Sequence, residues 1–188
     1  MQLHGRVRPL YRWEILEARK VFADRLDYDQ VRIHEAMPLP DTIDRISRKL
    51  RGMPALAPGR HNAMTVGNHC LFPVFLPEVL PPPDDPADYA TGWLIHELTH
   101  VWQFQHIGWL YIFQAIWVQL RQKSLVYTLP DPDSLIQKRA EGWTFFTFSV
   151  EQQGDLARLF YYAQRDPNRT NPVAEAYSLY MQDLINAV

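Results

Sequence analysis

The chain has a single cysteine, Cys70, in 188 residues, so no internal disulfide can staple it and an oxidising compartment is neither required nor excluded. Charge of one sign is lacking too: 19 Lys and Arg stand against 21 Asp and Glu, a net charge of -2. That balance gives no footprint for nucleic acid or for an acidic membrane, and neither is expected as a partner. Long apolar runs are missing. The most apolar stretch, Ile107 to Leu120, is interrupted by Gly108, Gln114 and Gln119 and is too short to span a bilayer comfortably, so a buried helix is expected there. Met1 to Arg12 contains no apolar core of signal-peptide length, which leaves the chain cytoplasmic as synthesised. Repeats and low-complexity segments are absent as well. What remains is 47% hydrophobic and 21% charged, the make-up of one folded domain over 1–188 that is long enough to bury a sizeable core. The 15 prolines cluster between elements, notably at Pro77 and from Pro81 to Pro86, and mark loops.

Apolar positions at near-helical spacing from Leu10 to Leu26 predict an amphipathic helix, and Val31-Arg32-Ile33 a short strand. Asp41 is placed to cap a helix carried by Ile43, Ile46 and Leu50, with Gly52 as its stop. Asn62 to Val66 and His69 to Leu76 read as two strands around Gly67-Asn68, a dipeptide suited to a tight hairpin. After a proline-rich loop, Asp85-Pro86 combines a capping carboxylate with proline at the first helical position, and the helix it starts should end at Gly108. Further helices are expected from Trp109 to about Gln122 and from Ser134 to about Phe146. Ser149-Val150-Glu151-Gln152 has the form of a capping box opening a helix to about Gln164. Asn171-Pro172 opens a last helix that ends near Ala187.

The stretch that carries chemistry is His96-Glu97-Leu98-Thr99-His100, the H-E-x-x-H pattern of zinc hydrolases. Residues four apart on a helix share a face, so His96 and His100 can close on one ion with Glu97 beside them. With seven His in the chain, coincidence produces this pattern roughly once in a hundred such chains. Two imidazoles do not complete a catalytic site, which takes three protein ligands and keeps one position open. Candidates for the third are Glu151, Glu141, Glu175, His106 and His69. Glu151 is preferred and Glu141 held in reserve, because Glu151 sits in the first turn of its own capped helix. Asp155, four residues on, can then accept the free N–H of a ligating imidazole.

His96-Glu97-Leu98-Thr99-His100-Val101-Trp102-Gln103 together with Glu151-Gln152-Gln153-Gly154-Asp155 resembles the zincin metallopeptidases of the gluzincin type. With Asn62 to Asn68 ahead of it, and Val21-Phe22, Leu26-Asp27-Tyr28 and Val31-Arg32-Ile33 near the start, the chain is similar over about residues 18 to 162 to a bacterial domain of unknown function. That domain occurs in extracellular contractile injection systems and in Vgr-related proteins of type VI secretion. The resemblance implies a mostly helical α+β, zincin-like fold, with a small sheet packed on the H-E-x-x-H helix and further helices C-terminal to it. It implies Zn2+ as cofactor, a peptide or protein substrate, a partner in a secretion apparatus, and export by a specialised secretion system. In that family the strand before the helix borders the substrate cleft. Carried over, this assigns substrate binding to His69, Cys70 and Leu71, at an edge to which an extended peptide can add.

The expected activity is that of a zinc-dependent hydrolase, a peptidase, with metal on His96, His100 and Glu151 and with Glu97 as general base. An oxyanion donor is also needed, and Tyr127, Tyr161, Tyr162 and His106 are the candidates. The rival reading is a zincin scaffold that binds zinc without turnover and serves as an interaction module of a secretion or injection apparatus. Other patterns reduce to structure. His106 suits a helix C-terminus, His69 and Cys70 point to opposite faces of a strand and make no thiol site, and Trp143, Phe145, Phe146 and Phe148 suit a core. Glu97-x-x-His100 also matches half of a di-iron pair, but a second E-x-x-H is missing.

Overall fold

A computed structural model describes residues 5–50, 54, 57, 61–83, 85–109, 129–165 and 172–186. In chain order these form β1 (Arg6–Arg8), α1 (Arg12–Phe22), β2 (Arg32–Glu35), α2 (Leu39–Leu50), β3 (Met64–Val66), β4 (His69–Leu71), α3 (Asp88–Ile107), α4 (Pro132–Ala140), α5 (Val150–Arg165) and α6 (Pro172–Asn186). The described residues are thus α+β and mostly helical, with six α-helices and one four-stranded sheet. None of these helices is long and apolar enough to cross a membrane.

The sheet runs β1-β2-β4-β3, with β2 and β4 parallel and both outer pairs antiparallel. Gly67 at φ 61 makes the tight turn between β3 and β4 that Gly67-Asn68 predicts. The order corrects the assignment of His69, Cys70 and Leu71 to a substrate-binding edge. β4 is paired on both sides, so its main-chain groups are already used, and among the described residues β3 is the edge strand next to α3. Side chains alternate as the strand period requires: Cys70 is fully buried, while His69 points outward and lies 2.8 Å from His34.

Several helix boundaries differ from those the local signals predict. α1 stops at Phe22 because Ala23 turns to φ 49, with its N–H on Arg19 O, and Leu26 folds back into the core from beyond the helix. Asp41 lies inside the first turn of α2 rather than capping it, and receives the Asn62 N–H and the His61 ring instead. Ile43 and Ile46 are about half exposed, so they do not anchor α2 as expected. Asp85 accepts the Ala87 N–H in a turn that precedes α3 by one step, whereas Gly108 does end that helix, at φ 62. The helix expected from Ser134 to Phe146 starts earlier and ends sooner. Asp131 caps it, Pro132 opens it, and Gly142 at φ 91 breaks the chain before a short 3-10 turn at Phe145–Thr147. Beyond Trp109, the helix expected to Gln122 lies outside the described residues, as do Gly52, Tyr127, Asn171 and Ala187.

The core is built around α3, which packs on the sheet with one side and on α5 with the other. Leu94, Ile95, Leu98, Val101 and Trp102 are its buried apolar positions, and Phe22, Ile33, Phe72, Leu156 and Tyr161 fill in around them. Buried charge adds cross-links. Glu35, with no exposure, takes Arg6 and Arg8, and Arg8 also grips Glu14 through both terminal nitrogens, joining β1, β2 and α1. At the other end of α5, Arg165 reaches Asp88, the Tyr161 hydroxyl and the Pro81 carbonyl, tying α5 to the start of α3 and to the proline loop.

Candidate metal centre

The site begins with helical spacing. His96 and His100, one turn apart on α3, bring their Nε2 atoms to 3.3 Å of each other. α5 enters at the same level because its start is fixed by the capping box: Ser149 N–H donates to Gln152 Oε1, and Gln152 N–H donates to Ser149 Oγ. The first turn of α5 then presents Glu151 Oε2 at 3.7 Å from His96 Nε2 and 3.9 Å from His100 Nε2. Among the described residues these three are the group of His, Cys, Asp and Glu side chains that can hold a metal ion.

Two glycines allow the helices this close. A Cβ on Gly154 would stand 2.8 Å from the His96 ring, and one on Gly92 would overlap the Tyr162 hydroxyl. Gly154→Ala should therefore leave the fold intact, since alanine favours a helix, yet push the His96 ring off its position. The expected result is metal affinity lowered by about 10–100-fold, measured by competition with a chromophoric chelator, with the metal-free unfolding midpoint unchanged or raised.

The donor set fits a tetrahedral divalent ion. Donors about 2.0–2.1 Å from a common tetrahedral centre lie about 3.3–3.4 Å apart. The imidazole pair already has that separation, and the carboxylate is a few tenths of an ångström outside it. Electrostatics point the same way. Burial alone would lower the His96 pKa, yet Asp155 and Glu151 outweigh it and push the pKa up to about 10. Burial would raise Glu151, but His96 and His100 bring it down to about 2. The opposite shifts show that Glu151 and Asp155 hold negative charge against the His96 ring, charge that is available to a cation taking the place of the proton.

Asp155 Oδ1 lies 3.2 Å from His96 Nδ1, within ion-pair range though off the line of the ring N–H, and it also holds Arg158 at 2.8 Å. Asp155 therefore stands beside the His96 ring nitrogen without forming the aligned hydrogen bond expected of it. Glu97 is buried, and its Oε2 receives the Thr65 hydroxyl at 2.7 Å from β3. The other candidates lie elsewhere. Glu141 is exposed at the end of α4 and takes the Gln137 amide. His69 pairs with His34, and Glu175 sits in the first turn of α6. His106 stacks on Trp102 with its Nδ1 at the Trp102 carbonyl, the helix-end role read for it. Among the oxyanion candidates, the Tyr161 hydroxyl is buried between Glu17 and Arg165, and the Tyr162 hydroxyl donates to the Tyr89 carbonyl.

Four residues enter the site without having been assigned a part: Thr65, Gln103, Gly92 and Gly154. Gly154 carried a usable signal, since a glycine between Glu151 and Asp155 in mid-helix weakens the helix unless something must come close. Gln103, three residues after His100, shares the ligand face but has no distinctive type. Thr65 is on another element, and nothing local marks it.

No family model matches the chain, and no solved structure matches it. Over 160 residues it is 29% identical to the type VI secretion system spike protein VgrG2b of Pseudomonas aeruginosa. The match takes in 82% of this chain and 13% of that protein, so the chain corresponds to a small part of a much longer polypeptide. The Vgr-related side of the resemblance is borne out to the extent of this similarity.

Proposed function

We propose that the chain is a zinc-dependent peptidase domain of zincin-like fold that operates with a type VI secretion spike. The observation that carries this reading is the meeting of His96, His100 and Glu151 from two helices, with a buried Glu97 on the same helix as the imidazoles. A divalent ion held there supplies Lewis acidity, acidifying water and polarising a peptide carbonyl, and two imidazoles with one carboxylate suit zinc. Glu97 removes the proton from the attacking water and returns it to the leaving amine. Thr65 occupies its Oε2, which leaves Oε1 as the oxygen that carries the proton. The zincin-like reading is supported by the sheet on one side of α3 and the ligand-bearing α5 on the other. β3, the edge strand beside α3 among the described residues, is the strand that an extended peptide can lengthen through main-chain hydrogen bonds. Likeness to a spike protein supports delivery or anchoring by that apparatus.

The test is metal content by mass spectrometry together with hydrolysis of a peptide library. The expected result is one zinc per chain and cleavage that a chelator stops and added zinc restores. A purified, folded chain that takes up no stoichiometric divalent metal would overturn the reading.

A further inference from the structure

The proton positions around His100 can be worked out from the neighbours that have only one role. The main-chain carbonyls of Val150 and Phe148 can only accept. Gln103 Nε2 lies 3.0 Å from Val150 O and 2.8 Å from Gln153 Oε1, and Gln153 Nε2 lies 3.0 Å from Phe148 O. Both amides are therefore oriented by main-chain oxygens that cannot donate. Gln103 is left with Oε1 turned toward His100 Nδ1 at 2.8 Å. An amide oxygen has no hydrogen to give, so Nδ1 carries an N–H, and in the neutral ring the lone pair is then on Nε2. The opposite tautomer would set two lone pairs against each other across that 2.8 Å. Gln103 is 1% exposed and Gln153 8%, so water does not compete for these bonds.

We propose that Gln103, itself held by Gln153 and the start of α5, is a positioning residue that locks His100 in the Nδ1–H tautomer and keeps Nε2 facing Glu151 before any ion arrives. This rests on the reading of the cluster as a metal centre. The same two amides that set the tautomer bridge α3 to the residues that begin α5, so ligand orientation and helix spacing are set together.

The test uses the whole chain labelled with 15N-histidine and stripped of metal, with long-range 1H–15N correlations reporting the tautomer, followed by titration with cobalt and zinc. The wild type should show His100 as Nδ1–H. Gln103→Met, close in shape but without polar atoms, should show a mixture of tautomers and bind either ion about 10–100-fold more weakly. Gln103→Glu keeps an acceptor at Nδ1 while turning an oxygen toward Val150 O, so it should lose stability yet retain the tautomer. A purely structural tie would reverse that pattern, with the tautomer unchanged in all three proteins. A wild-type spectrum showing His100 as Nε2–H overturns the proposal even if Gln103→Met does not fold. An Nδ1–H signal in a wild type that binds neither ion supports the tautomer assignment and removes the metal reading instead.

Discussion

Glu97→Gln is expected to keep its zinc, to unfold at the wild-type midpoint, and to hydrolyse peptides about 10²–10⁴-fold more slowly than the wild type. The substitution preserves shape at a position only 4% exposed, and an amide oxygen can still accept the Thr65 hydroxyl now bound at 2.7 Å. Packing and metal binding are therefore conserved, and what is lost is the capacity to hold a proton. The measurement is kcat/KM on any peptide the wild type cleaves, beside metal content for both proteins. Equal rates would remove Glu97 from the chemistry. Metal bound by both proteins with cleavage by neither would favour the rival reading, a zinc-binding scaffold in a secretion apparatus.

The second large effect is expected from His96→Ala. This side chain faces Glu151 through one nitrogen and Asp155 through the other, so its loss removes a ligand and strips Asp155 of the ring it stands beside. Affinity should fall by more than the about 10–100-fold that removal of an outer partner costs, and the purified variant should carry no stoichiometric zinc. Stability supplies a second measurement. An ion that binds only the folded state stabilises it by about 4 kcal/mol when present at about 1,000 times its Kd. Added zinc should accordingly raise the unfolding temperature of the wild type and leave that of His96→Ala unchanged. A variant that still gains stability from zinc would place the ion elsewhere.

Glu151 and Glu141 show what reading along the chain can place. A capping box places Glu151 in the first turn of a helix, and the box is present with both of its reciprocal bonds. Glu141 is on the exposed end of α4, where a cap-and-proline start at Asp131-Pro132 and a glycine at 142 limit the helix to nine residues. The signals at 131–132 are of the same kind as those at 85–86 and 171–172, so the start of α4 is legible in the sequence. The half-exposed Ile43 and Ile46 of α2 were not, because periodicity identifies an apolar face without saying what it meets.

By itself the sequence determined the features that depend on spacing within one element: the shared face of His96 and His100 with Glu97 beside them, the stop at Gly108, the hairpin at Gly67, and the start of α5 that carries Glu151 and Asp155. Only the tertiary structure decided what crosses between elements. It put β3 rather than β4 at the edge of the described sheet, set Thr65 against Glu97, turned the Gln103 amide toward His100, and used Gly154 to admit the His96 ring. The physical reason is range. Backbone geometry repeats over one turn of helix or two residues of strand, so local spacing settles which side chains share a face. Contacts between a helix, a distant strand and a second helix depend on how those faces pack, which no single segment specifies.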